Sequence, residues 1–185
     1  MPQFKTILFV TFILFFFYGC EKKIKIEEKE IFNINELFNT TNQIKSTNEK
    51  KLLLIFGKEE DKFNKMLFED IKTSLQIQRL LKESFTIYYI LVDKDLQYKI
   101  YYKNKQITLN TKALLNLYNI SSIPSLIFTN NKAEEVFKIP GYMKKEQLFL
   151  TLEFFKTNTF EENENKKKIF YMLKEYYLKN GIELN

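Results

Sequence analysis

The feature that most constrains the fold is a continuous apolar run, Leu52–Phe56, which ends at Gly57. A run of this length between turn signals is typical of a strand buried on both faces of a sheet. Apolar residues then recur at helical spacing from Phe63 to Leu81, which predicts a helix of about five turns. The next apolar stretch, Phe85–Val92, predicts a second strand. Strand, helix and strand in this order indicate a layered α/β domain.

The second half of the chain adds a hairpin and further alternating elements. Two strand-like stretches flank the polar turn Lys103–Lys105, and Thr111 is placed to cap a short helix that runs to Tyr118. The remaining predicted elements are the strands Leu126–Phe128 and Glu135–Ile139 and the helices Met143–Phe155 and Ile169–Leu178. We therefore expect a mixed central sheet flanked by helices, with an inserted β-hairpin and an extra C-terminal helix.

The composition excludes several catalytic chemistries. Of the 185 residues, 45% are hydrophobic, which is typical of a packed domain, but there is no His and the only Cys is Cys20. Within one chain this excludes a disulfide, a Cys–His dyad, a Ser–His–Asp triad and a His/Cys zinc site. The glycine-rich motifs of phosphate-binding loops are absent too. We expect no metal, no cofactor and no enzymatic activity.

The N-terminus has the pattern of an export signal. One lysine precedes the apolar run Ile7–Tyr18, whose twelve residues would rise about 18 Å as a helix, well short of the roughly 30 Å core of a bilayer. Gly19-Cys20 resembles a bacterial lipobox, although Phe17 and Tyr18 depart from its usual residues. The resemblance implies that Cys20 is the lipidation site. The alternative is an ordinary signal peptide with an incidental cysteine.

These signals divide the chain into four parts. Residues 1–20 are a lipoprotein signal peptide, 21–30 a charged tether, 31–156 the domain, and 157–185 a linker with a C-terminal helix. A short amphipathic helix is expected within Asn33–Ile44. The net charge of +6 is spread over the chain, and Lys166–Lys168 is the only run of three lysines. A diffuse surplus of this kind does not favour nucleic acid as a partner.

Three stretches carry a family resemblance. Lys50–Met66, Leu117–Phe128 and Ile139–Phe155 resemble the thioredoxin fold, and together with the hairpin they are similar to exported SoxW-type thioredoxin-like proteins. In that family a CxxC motif follows the first strand at the start of the helix. Those positions read Asp61-Lys62-Phe63-Asn64 here. Asp61 occupies the position of the nucleophilic cysteine, and Asn64 occupies that of the resolving cysteine. The resemblance therefore implies a degenerate, redox-inactive site.

The physical chemistry of a helix start fits this replacement. Unpaired amides and the helix dipole at an N-terminus favour a carboxylate as they favour a thiolate. We expect Asp61 to cap the helix by accepting a hydrogen bond from the amide of Phe63 or Asn64. Glu59 and Glu60 add negative charge beside it. A metal or acid–base cluster of these three carboxylates is the alternative, although no calcium-binding spacing follows.

Pro124 marks the second landmark of the resemblance. In thioredoxins the matching peptide bond is cis and lies against the active corner, where the adjacent backbone pairs with an extended substrate. The resemblance implies a cis bond between Ile123 and Pro124 and a binding site formed by these residues with Asp61 and Phe63. The alternative is that Pro124 merely opens a strand.

These expectations lead to two functional hypotheses. The first is a redox-inactive lipoprotein in the bacterial periplasm or on the cell surface, held to the membrane by its lipid anchor. It would bind an extended polypeptide or an envelope protein as a chaperone-like or adaptor module. The second is an accessory of periplasmic thiol–disulfide or cytochrome-maturation systems that works with thiols supplied by a partner.

Overall fold

The computed structural model describes residues 34–46, 50–160 and 165–183. All of these residues belong to one compact unit of the chain, Ile31–Asn185. The expected signal peptide, the lipidation site Cys20 and the charged tether lie outside the described residues. No described helix is both long enough and apolar enough to cross a bilayer.

The described residues form eight strands and five α-helices. The strands are β1 Phe38–Asn39, β2 Gln43–Ile44, β3 Lys51–Gly57, β4 Phe85–Leu91, β5 Gln97–Tyr102, β6 Lys105–Asn110, β7 Ser125–Thr129 and β8 Glu135–Pro140. The helices are α1 Lys62–Lys72, α2 Leu75–Ser84, α3 Thr111–Leu117, α4 Lys145–Thr157 and α5 Lys166–Lys179. The two predicted strands on either side of the first helical stretch are thus present with nearly the expected bounds.

The central sheet is mixed, as expected. Its five strands have the order β1-β4-β3-β7-β8, with β4 parallel to both β1 and β3 and with β7 antiparallel to β3 and β8. Strand β3 is therefore central, and its residues from Leu52 to Gly57 are all buried. Leu53 and Ile55 face one hydrophobic cluster, which α1, α2, α4 and α5 cover. Leu52, Leu54 and Phe56 face the other, which the hairpin and α3 cover.

The hairpin forms a separate sheet. Strands β5 and β6 pair with each other, and β2 adds to β5 in the order β2-β5-β6. The turn is one residue shorter than predicted, because only Lys103 and Asn104 link the strands, with φ of 50° and 61°. Two consecutive residues with positive φ give the turn the right-handed twist that a two-residue hairpin needs.

The long helix predicted from Phe63 to Leu81 is wrong, because the chain forms two helices with a break at Thr73 and Ser74. The Ser74 hydroxyl accepts a hydrogen bond from the Ile77 amide at 3.3 Å and starts α2. The Gln78 side chain donates to the carbonyls of Ile71 and Lys72 at the end of α1. The apolar periodicity continues across the break, so periodicity alone does not reveal it.

Two smaller predictions are also wrong. The expected amphipathic helix within Asn33–Ile44 is a single 3₁₀ turn, Ile34–Leu37, followed by the short strands β1 and β2. The cap of α3 is Asn110, whose side chain accepts from the Ala113 amide at 2.9 Å, and not Thr111. The buried Thr111 hydroxyl instead holds the preceding loop by donating to the carbonyl of Lys94.

Lys51, the first residue of β3, is hydrogen-bonded to the end of α4. Its ammonium donates to the carbonyls of Phe155, Lys156 and Asn158 at 2.5, 3.2 and 2.6 Å. Burial lowers the pKa of this lysine. The carbonyls at a helix C-terminus lack intrahelical partners and carry partial negative charge, so a cation is well placed there.

Candidate binding corner beside Asp61

The sheet register brings the sequence-predicted site residues to one end of the central sheet. Strand β3 ends at Gly57, and the loop that leads to Asp61 begins there. Strand β7 runs antiparallel to β3 with Ser125 opposite Phe56. The residues just before Ser125 are therefore placed beside Gly57. In this way Pro124 and Asp61, 63 positions apart in sequence, reach the same corner.

Asp61 caps α1, as predicted. Its Oδ1 accepts a hydrogen bond from the Asn64 amide at 2.8 Å, and its carbonyl accepts from the Lys65 amide at 3.0 Å. Glu60 is fully engaged by Lys65, with 2.7 Å between Oε2 and Nζ, and this hydrogen bond lowers the pKa of the Glu60 carboxyl. Among the described residues, no group of three or more metal-ligating side chains converges. Asp61 and Glu60 thus interact with residues of the first turn of α1.

Asn64 is locked against the end of the sheet. Its side chain is 2% exposed, and its Nδ2 donates to the Tyr89 hydroxyl at 2.7 Å. Its Oδ1 is buried with no hydrogen-bond partner in the part of the chain that the structure describes. A Cβ added to Gly57 would lie 2.1 Å from this Oδ1 and 2.9 Å from the Tyr89 ring. Oδ1 therefore faces the Cα hydrogens of Gly57, which offer it only a weak hydrogen bond.

Tyr89 keeps its proton over the whole physiological range. Burial raises the pKa of its hydroxyl to about 12, and the hydrogen bond from Asn64 opposes this only in part. Tyr89 is half-buried, and its ring contacts Phe68 edge to face at a centroid distance of 4.9 Å. The neutral hydroxyl accepts from Asn64 and retains one proton to donate.

A cleft of about 670 Å³ opens on this side of α1. Its apolar wall is aromatic, because Phe38, Phe68 and Tyr89 pack together with centroids 4.9–6.1 Å apart. The residues that line it come from β1, α1, β4 and the adjoining loops, and are Phe38, Asn39, Thr40, Glu59, Asn64, Lys65, Phe68, Glu69 and Tyr89. The sequence analysis missed this cleft, since its walls are far apart along the chain.

An exposed apolar surface lies on the other side of the helix start. Phe63 is 49% exposed and stacks on Tyr142 at a centroid distance of 6.3 Å and an angle of 24°. The Tyr142 hydroxyl donates to Asp70 at 2.7 Å, and burial together with this bond raises its pKa to about 12. Met66, which is 37% exposed, lies on the same helix face, three residues after Phe63 and four before Asp70.

Pro124 connects to this surface through the backbone. The peptide bond between Ile123 and Pro124 is cis, as the resemblance implied. The Gly141 amide donates to the Pro124 carbonyl at 2.7 Å, which holds Tyr142 beside the loop. Pro124 itself is buried, and Ile123 is half-buried. We call Phe63, Met66, Tyr142 and Ile123 the corner surface.

Comparison with known proteins identifies the domain. Residues 37–156 match the family described as Thioredoxin-like domain, which is more than half of the chain. The chain belongs to this family. No curated protein matches it. The expected α/β fold class, with a mixed central sheet flanked by helices, is thereby confirmed.

Solved structures match the chain to different degrees. A thioredoxin-fold protein from Helicobacter pylori is 24% identical, with a TM-score of 0.72, and the match covers 81% of this chain and 96% of that one. A mutant thioredoxin from Halobacterium salinarum is 15% identical, with a TM-score of 0.42 over 63% and 91% of the two chains. An exposed lipoprotein thioredoxin from Streptococcus pneumoniae is 18% identical, with a TM-score of 0.40 over 57% and 84%.

Three residues of this thioredoxin-like corner escaped the sequence analysis. Gly57 was treated only as the end of a strand, although its missing side chain admits Asn64. Tyr89 has no predicted role beyond the strand Phe85–Val92, and Tyr142 has none beyond the stretch Ile139–Phe155 that carries the resemblance. A glycine that directly follows a fully apolar strand run was the one available signal, because such a position often marks a close approach.

Proposed function

We propose that this thioredoxin-like protein is a redox-inactive binding module that holds an extended, apolar polypeptide at the corner surface. The observation that carries the proposal is the exposed Phe63 ring, which stacks on the half-buried Tyr142 beside the Ile123 loop. Exposed aromatic side chains with fixed geometry are typical of binding hot spots. We assign the protein to the exported SoxW-type group and place it in the bacterial cell envelope, anchored through lipidated Cys20.

The backbone at Ile123 supports this mode of binding. Neither its amide nor its carbonyl is hydrogen-bonded to any residue that the structure describes. An extended chain that runs past such a segment gains affinity through main-chain hydrogen bonds and specificity through side-chain contacts. Phe63 and Met66 would supply those contacts, while the Asp70 carboxylate fixes the Tyr142 ring from the rear.

The former redox positions fit a binding role. Asp61 and Asn64 stand where the family carries its two cysteines, and Cys20 is the only cysteine in the chain. The Asp61 carboxylate is used as a helix cap, and the Asn64 side chain is buried against Gly57. Neither group is a nucleophile toward a disulfide, so the corner retains a docking site without thiol chemistry.

Binding can be tested with a permanently unfolded polypeptide. We expect the full chain to bind fluorescently labelled, reduced and carboxymethylated lactalbumin, measured by anisotropy, and to bind native lactalbumin far more weakly. The change Phe63→Ser should lower the affinity about tenfold, because it removes a central aromatic contact. The matched control is Tyr101→Ser, at an aromatic site that is 47% exposed and lies on β5. Equal affinity of the two variants would contradict the proposed site.

The redox assignment has its own test. The wild-type chain should show no dithiothreitol-dependent reduction of insulin, and turnover above the thiol alone would refute redox inactivity. In a Cys20→Ser background, the double change Asp61→Cys/Asn64→Cys should form a reducible disulfide, detected by thiol labelling before and after reduction. If those cysteines never pair, the correspondence with the CxxC positions is wrong. Incorporation of labelled palmitate that depends on Cys20 tests the anchor.

A further inference from the structure

The outer face of α5 exposes three large apolar side chains. Phe170 is 48% exposed, Tyr171 52% and Leu178 51%, and the last two are the most exposed large hydrophobic residues in the described part of the chain. Single exposed apolar residues are common on protein surfaces, but three on one helix require an explanation. The adjoining face of α5 is well packed, since Ile169, Leu173 and Tyr177 belong to the core.

These side chains form one continuous stripe. At about 100° per residue, Phe170, Tyr171 and Leu178 fall within an arc of roughly 100°. Two exposed lysines, Lys167 and Lys174, fall inside the same arc, and the Lys167 ammonium lies 6.0 Å from the centre of the Tyr171 ring. We call these five residues the α5 outer face.

The helix as a whole is strongly basic. It carries five lysines and one glutamate, which gives a net charge of +4 over 14 residues. Lys166 is paired with Glu135 at 2.6 Å, while Lys167 and Lys174 extend from the outer face. A partner of this surface must therefore accept apolar and cationic groups side by side.

We propose that the α5 outer face docks on an anionic lipid surface. Interfacial helices combine lysines with aromatic residues and leucine, so that rings and stems enter the headgroup region while the ammonium groups stay with the phosphates. A protein partner fits less well, because charged residues are depleted from the centre of protein–protein interfaces, whereas Lys167 and Lys174 lie in the middle of this stripe.

The test uses the full wild-type chain in lipid nanodiscs of two compositions, phosphatidylglycerol and phosphatidylcholine. Reductive methylation with formaldehyde and cyanoborohydride, followed by mass spectrometry, measures the accessibility of each lysine. We expect Lys167 and Lys174 to react about fivefold more slowly in phosphatidylglycerol than in phosphatidylcholine. The exposed lysines Lys94, in the loop before the hairpin, and Lys105, in β6, serve as internal controls and should not react more slowly. In 1 M salt, where the Debye length is about 3 Å, the protection should disappear.

Two variants distinguish docking through the α5 outer face from nonspecific proximity to the nanodisc. The triple change Phe170→Ser/Tyr171→Ser/Leu178→Ser keeps every lysine and should abolish the protection. The matched control Leu96→Ser/Tyr101→Ser alters side chains of 36% and 47% exposure in the hairpin region and should preserve it. All five substitutions are at exposed sites, and circular dichroism checks folding. Protection in phosphatidylcholine, protection retained in the triple variant, or protection in the lipid-free chain through self-association would each overturn the proposal.

Discussion

Phe63 and Asn64 are neighbours in the first turn of α1, yet their environments are opposite. Phe63 is 49% exposed and contacts Tyr142, a residue of a loop, while Asn64 is 2% exposed and contacts Gly57 and Tyr89, which belong to strands. Successive helix residues point about 100° apart, so one turn of helix faces both solvent and sheet. The corner therefore has a tightly packed part, Gly57, Asn64 and Tyr89, which we call the base, and an exposed part around Phe63. Substitutions in the two parts should have different effects.

The largest effect is expected at the base. Gly57→Ala would place a Cβ 2.1 Å from the buried Oδ1 of Asn64, so the side chain must leave its site. We expect the free energy of unfolding in urea to fall by about 3 kcal/mol, as in overpacked cores. Gly141→Ala is the control, because it has φ of +82° but nothing within 4 Å of an added Cβ, and it should cost about 1 kcal/mol. Equal losses would show that the base is not tightly packed.

The next prediction contrasts the two neighbours directly. Asn64→Ala should lower the free energy of unfolding by about 2 kcal/mol, because it leaves the Tyr89 hydroxyl without its partner. Phe63→Ser should change stability by less than about 0.5 kcal/mol, as is usual for surface sites, while it weakens polypeptide binding. Asn180→Ala, which removes an exposed hydrogen bond to the Tyr176 carbonyl, controls for loss of an asparagine. The predicted difference between the two neighbours would be contradicted if Phe63→Ser lowered the free energy of unfolding more than Asn64→Ala does.

The smallest effect near neutral pH is expected from ionisation of Tyr89, which changes the stability of the base only in alkaline solution. The pKa of Tyr89 is about 12 in the folded protein and about 10 when unfolded. The folded state thus holds this proton more tightly, so the contribution to stability is complete below pH 10 and is lost as the pH rises through 12. Urea unfolding from pH 9 to 12 should show the wild type losing stability relative to Tyr89→Phe. Parallel curves for the two proteins would exclude this contribution.

The sequence predicts the parts of the corner that depend on local order. The apolar run of β3, the cap at Asp61 and the proline before β7 are local patterns, and each lies where it was expected. The family resemblance adds the fold and the cis bond. The register that places Ser125 opposite Phe56 then brings these local features together.

The rest of the corner depends on contacts between distant segments. The buried position of Asn64 depends on contacts with Gly57 of β3 and Tyr89 of β4. Tyr89 is 25 positions from Asn64 in sequence. The stacking of Phe63 on Tyr142 joins two loop-adjacent residues with no shared pattern. The break between α1 and α2 is hidden because apolar spacing continues through Thr73. Periodicity indicates which faces of a helix or strand are buried, but it does not indicate which side chains contact each other.

The hold of Lys51 on the end of α4 has a topological consequence. Its ammonium reaches three carbonyls at the C-terminal end of α4, so the start of β3 and the end of α4 lie side by side. The two ends of the segment from 51 to 158 are therefore close together. Joining its ends with a short linker and opening the chain at the hairpin turn, between Lys103 and Asn104, would leave the order β4-β3-β7-β8 of its strands in the central sheet unchanged. The positions of its two ends therefore suit this segment to circular permutation.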